Sequence, residues 1–284
     1  MGWMKWLGLL VAILTVLDMC LIAYGLWRWN EHSTVLLGRL EAARVPHAVG
    51  YYDAREIEAL PPPVQRYFRA ALTDGQAITT AVSIRHAGTF NISAAAEQWK
   101  PFTSQQRVIT RRPGFVWDAR VMMFPGVPVH VHDAYIAGAE MLHGAVSGLV
   151  TVVNMADSPA LAQGELMRLF AEAAWYPTAL LPSQGVRWEA VDESSAHATL
   201  TDGPLTIELL FRFNAEGLID TVRAEARGRL VNRRTVTAPW QGRFWNYAWR
   251  SGMRVPLDGE VAWSYPEARS RIGAAQPPRW TMSL

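Results

Sequence analysis

The stretch SPALAQGELMRLFAEAAWYPTALLPSQGVRWEAVD, residues 158–192, decides how this chain is read. It is one helix, then an apolar turn bounded by prolines, then a strand. Ser158 is a capping residue type. Pro159 suits the first helical position, where a missing N–H costs nothing. Leu161, Leu166, Leu169, Phe170 and Ala173 recur with a period near 3.6, which predicts a helix over 159–174. Glu165, Arg168 and Glu172 fall between them. Pro177 and Pro182 forbid its simple continuation. Between them Trp175, Tyr176, Leu180 and Leu181 put much apolar surface on a short segment, and such surface is rarely left in water. The segment reads either as a buried core connection or as the wall of a ligand cavity.

On both sides of this stretch the apolar period is two. Strand-like runs begin at Ala81 and continue over 105–110, 115–124, 127–136 and 140–153. After the helix come 186–191, 196–201, 205–213, 218–229, 235–247, 259–265 and 280–282. Turn sequences such as Pro125-Gly126 and Asp202-Gly203 separate them. Roughly ten to twelve strands at hairpin spacing, interrupted by one helix, predict a mainly β (α+β) fold. The expected form is a curved antiparallel sheet, or half-barrel, with the helix in its concave face.

The N-terminal 29 residues read as a transmembrane anchor. Residues 7–26 are almost wholly apolar, close to the roughly 20 needed to span a bilayer. Trp3, Trp6, Trp27 and Trp29 bracket the run as interfacial anchors. Lys5 favours a cytoplasmic N-terminus and an exported remainder, although Arg28 and Arg39 pull the other way. Asp18 lies inside the span, where a carboxylate costs roughly 2.5–3.5 kcal/mol. It is a candidate contact for a partner membrane helix. Residues 30–59 read as a partly helical juxtamembrane linker, and 60–284 as the β domain, opening with a short helix at 60–72.

Composition excludes several classes. A net charge of +2 is too small to imply nucleic acid. The one cysteine, Cys20, lies in the apolar run, so the domain has no disulfide, thiolate metal site or cysteine nucleophile. There is no nucleophile elbow, Walker loop or dinucleotide fingerprint. No catalytic residue, cofactor or metal is assigned. His130 and His132 share one face of a strand with Asp133 on the other, and read as polar residues on a solvated face. A metal would need a third ligand from a neighbouring strand, for example His143 or His86. Arg227, Arg229, Arg233 and Arg234 form a basic cluster, a solvated edge or a contact for anionic headgroups. Eight tryptophans spread over the strands could fill a curved sheet or line a cavity in it.

Several stretches resemble a family of uncharacterised bacterial membrane-anchored proteins: LPPPVQRYFRAAL (60–72), WKPFTSQQ (99–106), PGFVWDARV (113–121), DAYIAGAEML (133–142), residues 165–192, ATLTDG (198–203) and LLFRFNAEGLI (209–219). That family implies no activity. More distantly, the order of strands, helix and strands is similar to LolA-like lipoprotein carriers. Their half-barrels hold acyl chains between a curved sheet and the helices over its concave face. Joined to the anchor read from the N-terminal segment, this resemblance implies an inner-membrane protein whose periplasmic domain binds an apolar ligand such as a lipid or acyl chain, without catalysis. Phe170, Trp175, Tyr176, Leu180 and Leu181 would line the cavity, with Trp117 and Trp188 opposite. The carriers shuttle freely, whereas a tether leaves local lipid handling, sensing or a scaffold role. The alternatives are a solidly packed structural or interaction protein of the envelope and, with no nucleophile set visible, an envelope hydrolase.

Overall fold

The computed structural model describes residues 2–46, 50–93, 97–156, 158–231, 234–264 and 269–283. Among the described residues there are three α-helices: α1 (Gly2–Ala43), α2 (Pro62–Ala71) and α3 (Pro159–Ala171). The strands before α3 are β1 (Ala81–Asn91), β2 (Trp99–Ile109), β3 (Gly114–Phe124), β4 (Val127–Ile136), β5 (Ala139–Val146) and β6 (Val150–Ala156). Those after it are β7 (Arg187–Asp192), β8 (Ser195–Asp202), β9 (Leu205–Phe213), β10 (Ile219–Val231), β11 (Arg234–Arg250), β12 (Met253–Ser264) and β13 (Arg269–Ser283). The expected mainly β architecture is observed, with 13 strands in one antiparallel sheet. The extra strand arises because 140–153 is two strands, broken at Ser147-Gly148, where both residues adopt positive φ.

The order β6-β5-β4-β3-β2-β1-β13-β12-β11-β10-β9-β8-β7 explains why residues 158–192 govern the fold. Two meanders meet where the C-terminal strand β13 pairs with β1. The chain leaves β6 at one edge of the sheet and enters β7 at the other. The connection must therefore cross a face, and it does so as α3 followed by three short 3₁₀ turns between Glu172 and Gln184. The sheet curls around it. Strands β4 and β8 lie nine places apart in the sheet order, on the order of 40 Å if the sheet were flat. Yet Tyr135 Oη of β4 donates a 2.7 Å hydrogen bond to Asp202 Oδ2 of β8.

The main core fills this inner face. Tyr67 and Phe68 of α2, Leu166 and Phe170 of α3, and Phe115, Tyr135, Phe211 and Val222 of the sheet belong to it. The outer face carries α1. This helix does not stop where the apolar span ends. It runs on through what reads as a linker, and its second half lies on β2–β4, burying Leu36 and Leu40 against Ala81, Ile109, Val116 and Ala134. At Gly25 it meets the β5–β6 turn. A Cβ there would clash with the Ser147 carbonyl oxygen and lie 2.8 Å from Leu149 Cγ.

Candidate functional site

On the inner face, the residues expected to line a cavity are packed. Phe170, Trp175, Tyr176, Leu180, Leu181 and Trp188 are all buried in the main core, and the half-buried Trp117 packs against it. Trp188 Nε1 donates to the Leu180 carbonyl at 3.0 Å, and Tyr176 Oη to the Leu169 carbonyl at 2.7 Å. These bonds pin the proline-bounded segment to the sheet and helix.

Beside this apolar packing lies a buried charged network. The helical period predicts the spacing of Glu165 and Arg168 on α3 and of Glu172 just past its end, but it says nothing about their partners. Arg168 bridges Asp133 at 2.5 Å and Glu172 at 2.8 Å, with its guanidinium 4.9 Å and 5.0 Å from the ring centroids of Phe115 and Trp117. Gln106 Nε2 donates to the second Glu172 oxygen at 2.6 Å. Arg227 turns into the core, bonds Glu165 at 3.0 Å and lies over Trp240. It is not part of a surface basic patch. Arg233 of that expected patch lies outside the described residues, as do the side chains of Arg229 and Arg234. Burial and the neighbouring Glu165 push the Asp133 carboxyl up against the pull of Arg168. His86, on the same inner face, is brought down to about 4 by burial; its ring lies 5.0 Å from Trp175 and its Nδ1 lies 3.2 Å from Ser104 Oγ.

The outer face holds a second polar constellation. Residues 29–33 of α1 meet β3, β4 and β5. Trp29 Nε1 donates to Asp118 Oδ1 at 3.0 Å, and Ser33 Oγ donates to Asp118 Oδ2 at 2.6 Å. Ser33 Oγ also lies 2.8 Å from His132 Nε2. The Trp29 ring stacks on His132 with centroids 3.9 Å apart, and on His143 at 5.4 Å. Burial alone would raise the Asp118 carboxyl, but its bonds to His132, Ser33 and Trp29 together hold it below its usual value. His132 is fully buried, so the expectation of a solvated histidine pair is corrected: α1 covers it. One ring nitrogen each from His32, His132 and His143 lies within 4.8 Å of the other two. His143 is thus a neighbour of His132, directly opposite it in the β4–β5 register, whereas His86 faces the other side of the sheet. His130 shares the outer face but stands outside the triplet, tilted against Trp29.

A cavity of about 1100 Å³ opens next to these residues, between α1 and the sheet. Trp29, Ser33, Thr34 and Leu37 form its helix wall. Arg85, Arg107, Arg120 and Asp118 border it from β1, β2 and β3, together with His86, Ser104 and Gln106 of the opposite parity. Arg107 is also anchored to Glu41 at 2.8 Å. Trp29, His32 and Ser33 sit at i, i+3 and i+4, which puts them on one helix face. That spacing was the signal available for this site.

Residues 58–272 match a family profile described as a family of unknown function, DUF6920. The chain belongs to this family. The matched region begins just before α2 and ends within β13, so it takes in the inner-face core apart from Tyr52 and Ile57, and omits α1. No curated protein matches the sequence. In structure the chain is similar to a LolA superfamily protein from Nitrosomonas europaea, at 9% identity and a TM-score of 0.39, over 72% of this chain and 88% of that one.

Proposed function

We propose that this DUF6920 member is a membrane-tethered envelope protein that holds an anionic amphiphile, a lipid or acyl-chain ligand, in the groove beside α1. The observation that carries the reading is where the groove lies. The helix contains a window long and apolar enough to cross a membrane, with none of it buried by the rest of the chain. The groove wall starts at Trp29, about 4 Å beyond the end of the apolar run at residue 26, and reaches Leu37 some 16 Å beyond it. The membrane-proximal end of that stretch lies at the depth of lipid headgroups, a layer roughly 5–8 Å thick on each side of the hydrocarbon core. Arg85, Arg107 and Arg120 suit a phosphate or carboxylate at this level, and Leu37 and Trp29 suit the first methylenes of a chain.

The sheet's orientation agrees. The β5–β6 turn touches Gly25, at the end of the span, so this end of the sheet faces the bilayer. The β3–β4 turn lies at the same end of the meander, and it presents Phe124 (66% exposed) and Val127. In this reading the seven inner-face residues are the packed frame, and the ligand lies outside them. Lys5 supports a periplasmic domain on a bacterial inner-membrane protein, against the pull of Arg28 and Arg39, and Asp18 is available to meet a partner helix.

The test is lipid analysis of the full chain purified in mild detergent. About one anionic lipid per chain is expected, lost in the R85E/R120E variant and kept in L180A. Lipid-free wild-type protein, or equal lipid content in all three, would overturn it. One feature favours an interaction protein instead: the edge strand β6 exposes Val150 and Val152, a surface fit for strand addition by a partner.

A further inference from the structure

We propose that His32, His132 and His143 form a site for a divalent transition-metal ion that ties the emerging anchor helix to β4 and β5. Three elements deliver the donors, the two strands of the β4–β5 hairpin and the sequence-distant helix α1. His132 and His143 are directly opposed across the β4–β5 ladder, and His32 comes from α1 one turn beyond Trp29. Their nearest ring nitrogens all lie within 4.8 Å of one another. Three imidazole nitrogens on one zinc-like ion at about 2.0–2.1 Å would stand roughly 3.4 Å apart. Closing that difference takes shifts of an ångström or less, and His32 is exposed and able to make them.

The independent observation is the state of His132. Its side chain has no exposed surface, yet Nδ1 has no hydrogen-bond partner. An unpartnered buried nitrogen carries its desolvation cost with nothing to offset it, and such groups call for an unseen partner such as a water or an ion. The opposite nitrogen, Nε2, is held by Ser33 at 2.8 Å and lies 3.5 Å from Asp118 Oδ2. A carboxylate that fixes one ring nitrogen and leaves the other to ligate is the usual support of a metal-bound histidine. Here Asp118 also supplies a negative charge near an otherwise neutral donor set, and Trp29 holds both it and the ring plane. An all-imidazole set selects zinc, copper or nickel over magnesium or calcium. Three protein ligands leave a fourth position open to solvent beside His32.

The test uses untagged full-length chain in detergent, stripped of metal and titrated with cobalt(II) and then zinc. One cobalt per chain is expected, with the visible absorption of a low-symmetry nitrogen site, displaced by one equivalent of zinc. H143A should weaken binding at least 100-fold and D118N by about 10–100-fold, the usual effect of losing an orienting partner. H86A, on the other face, should leave it unchanged. If the buried-site variants fail to fold, H32A decides, because its side chain is exposed: tenfold or greater weakening supports the site, and unchanged affinity overturns it. Folded wild-type chain that takes up no stoichiometric cobalt or zinc also overturns it.

Discussion

Replacing Arg168 by Met tests how the inner face is held. Arg168 is the cation between two carboxylates, 2.5 Å from Asp133 and 2.8 Å from Glu172, and all three side chains are at most 15% exposed. Met keeps much of the stem's volume against Phe115 and Trp117 but removes the charge. Breaking a buried pair from one side leaves uncompensated charge and typically costs about 3–5 kcal/mol. The Gln106 bond to Glu172 stays and softens this, while the lost guanidinium–aromatic contacts add to it. A loss of about 3–5 kcal/mol at pH 8 is therefore expected, read as a lowered urea midpoint by tryptophan fluorescence of the detergent-solubilised chain. Asp133, already pushed up by burial and now without Arg168, should bind its proton more tightly folded than unfolded, so lowering pH through its raised value stabilises the variant's folded state. The deficit relative to wild type should shrink by pH 5, and R168M/D133N/E172Q should recover most of it at pH 8. A loss below about 1 kcal/mol at pH 8, or one that does not change with pH, would refute the network as a stability element.

Three further outcomes follow from named contacts. His86 has a folded-state value near 4 against 6.5 for the free side chain; its stability contribution is complete above pH 6.5 and is lost as pH falls toward 4. At about 1.4 kcal/mol per tenfold change this is on the order of 3 kcal/mol, and the H86L variant should show a correspondingly flatter urea midpoint between pH 6.5 and 4 than wild type. G25V places a side chain against backbone at the Ser147–Gly148 turn, which cannot yield; an overpacking cost of about 1–3 kcal/mol should lower the thermal midpoint. L40A removes a fully buried side chain from the small core under α1 and should cost about 2–5 kcal/mol by urea unfolding, whereas V35A, at an exposed position of the same helix, should stay within about 0.5 kcal/mol.

The sheet and α3 are legible in the sequence because their signals are local. Period two marks strands, and Ser158-Pro159 with the Leu161–Ala173 spacing marks the helix. Ser147-Gly148 was the one turn hidden inside a strand-like run, since a hairpin that tight needs only two positive-φ residues. The site was harder to see for a physical reason. Its parts pair across long separations: Ser33 with Asp118, Arg168 with Asp133, Glu165 with Arg227. A helical period places Glu165 and Arg168 between apolar residues and so suggests solvent. Only the curl of the sheet brings Asp133 and Arg227 over to bury them. Likewise Trp29 reads as an interfacial anchor because it ends an apolar run, and nothing in its neighbourhood reveals that Asp118 waits 89 residues away.

Photocrosslinking is the most direct test of whether lipid occupies the groove beside α1. A benzophenone side chain at Thr103, which borders the groove, should yield a covalent lipid adduct by mass spectrometry on irradiation in native membranes. The same group at Val191, exposed on the far edge strand β7, should not. Equal adduct levels at the two positions, or none at Thr103, would contradict the account.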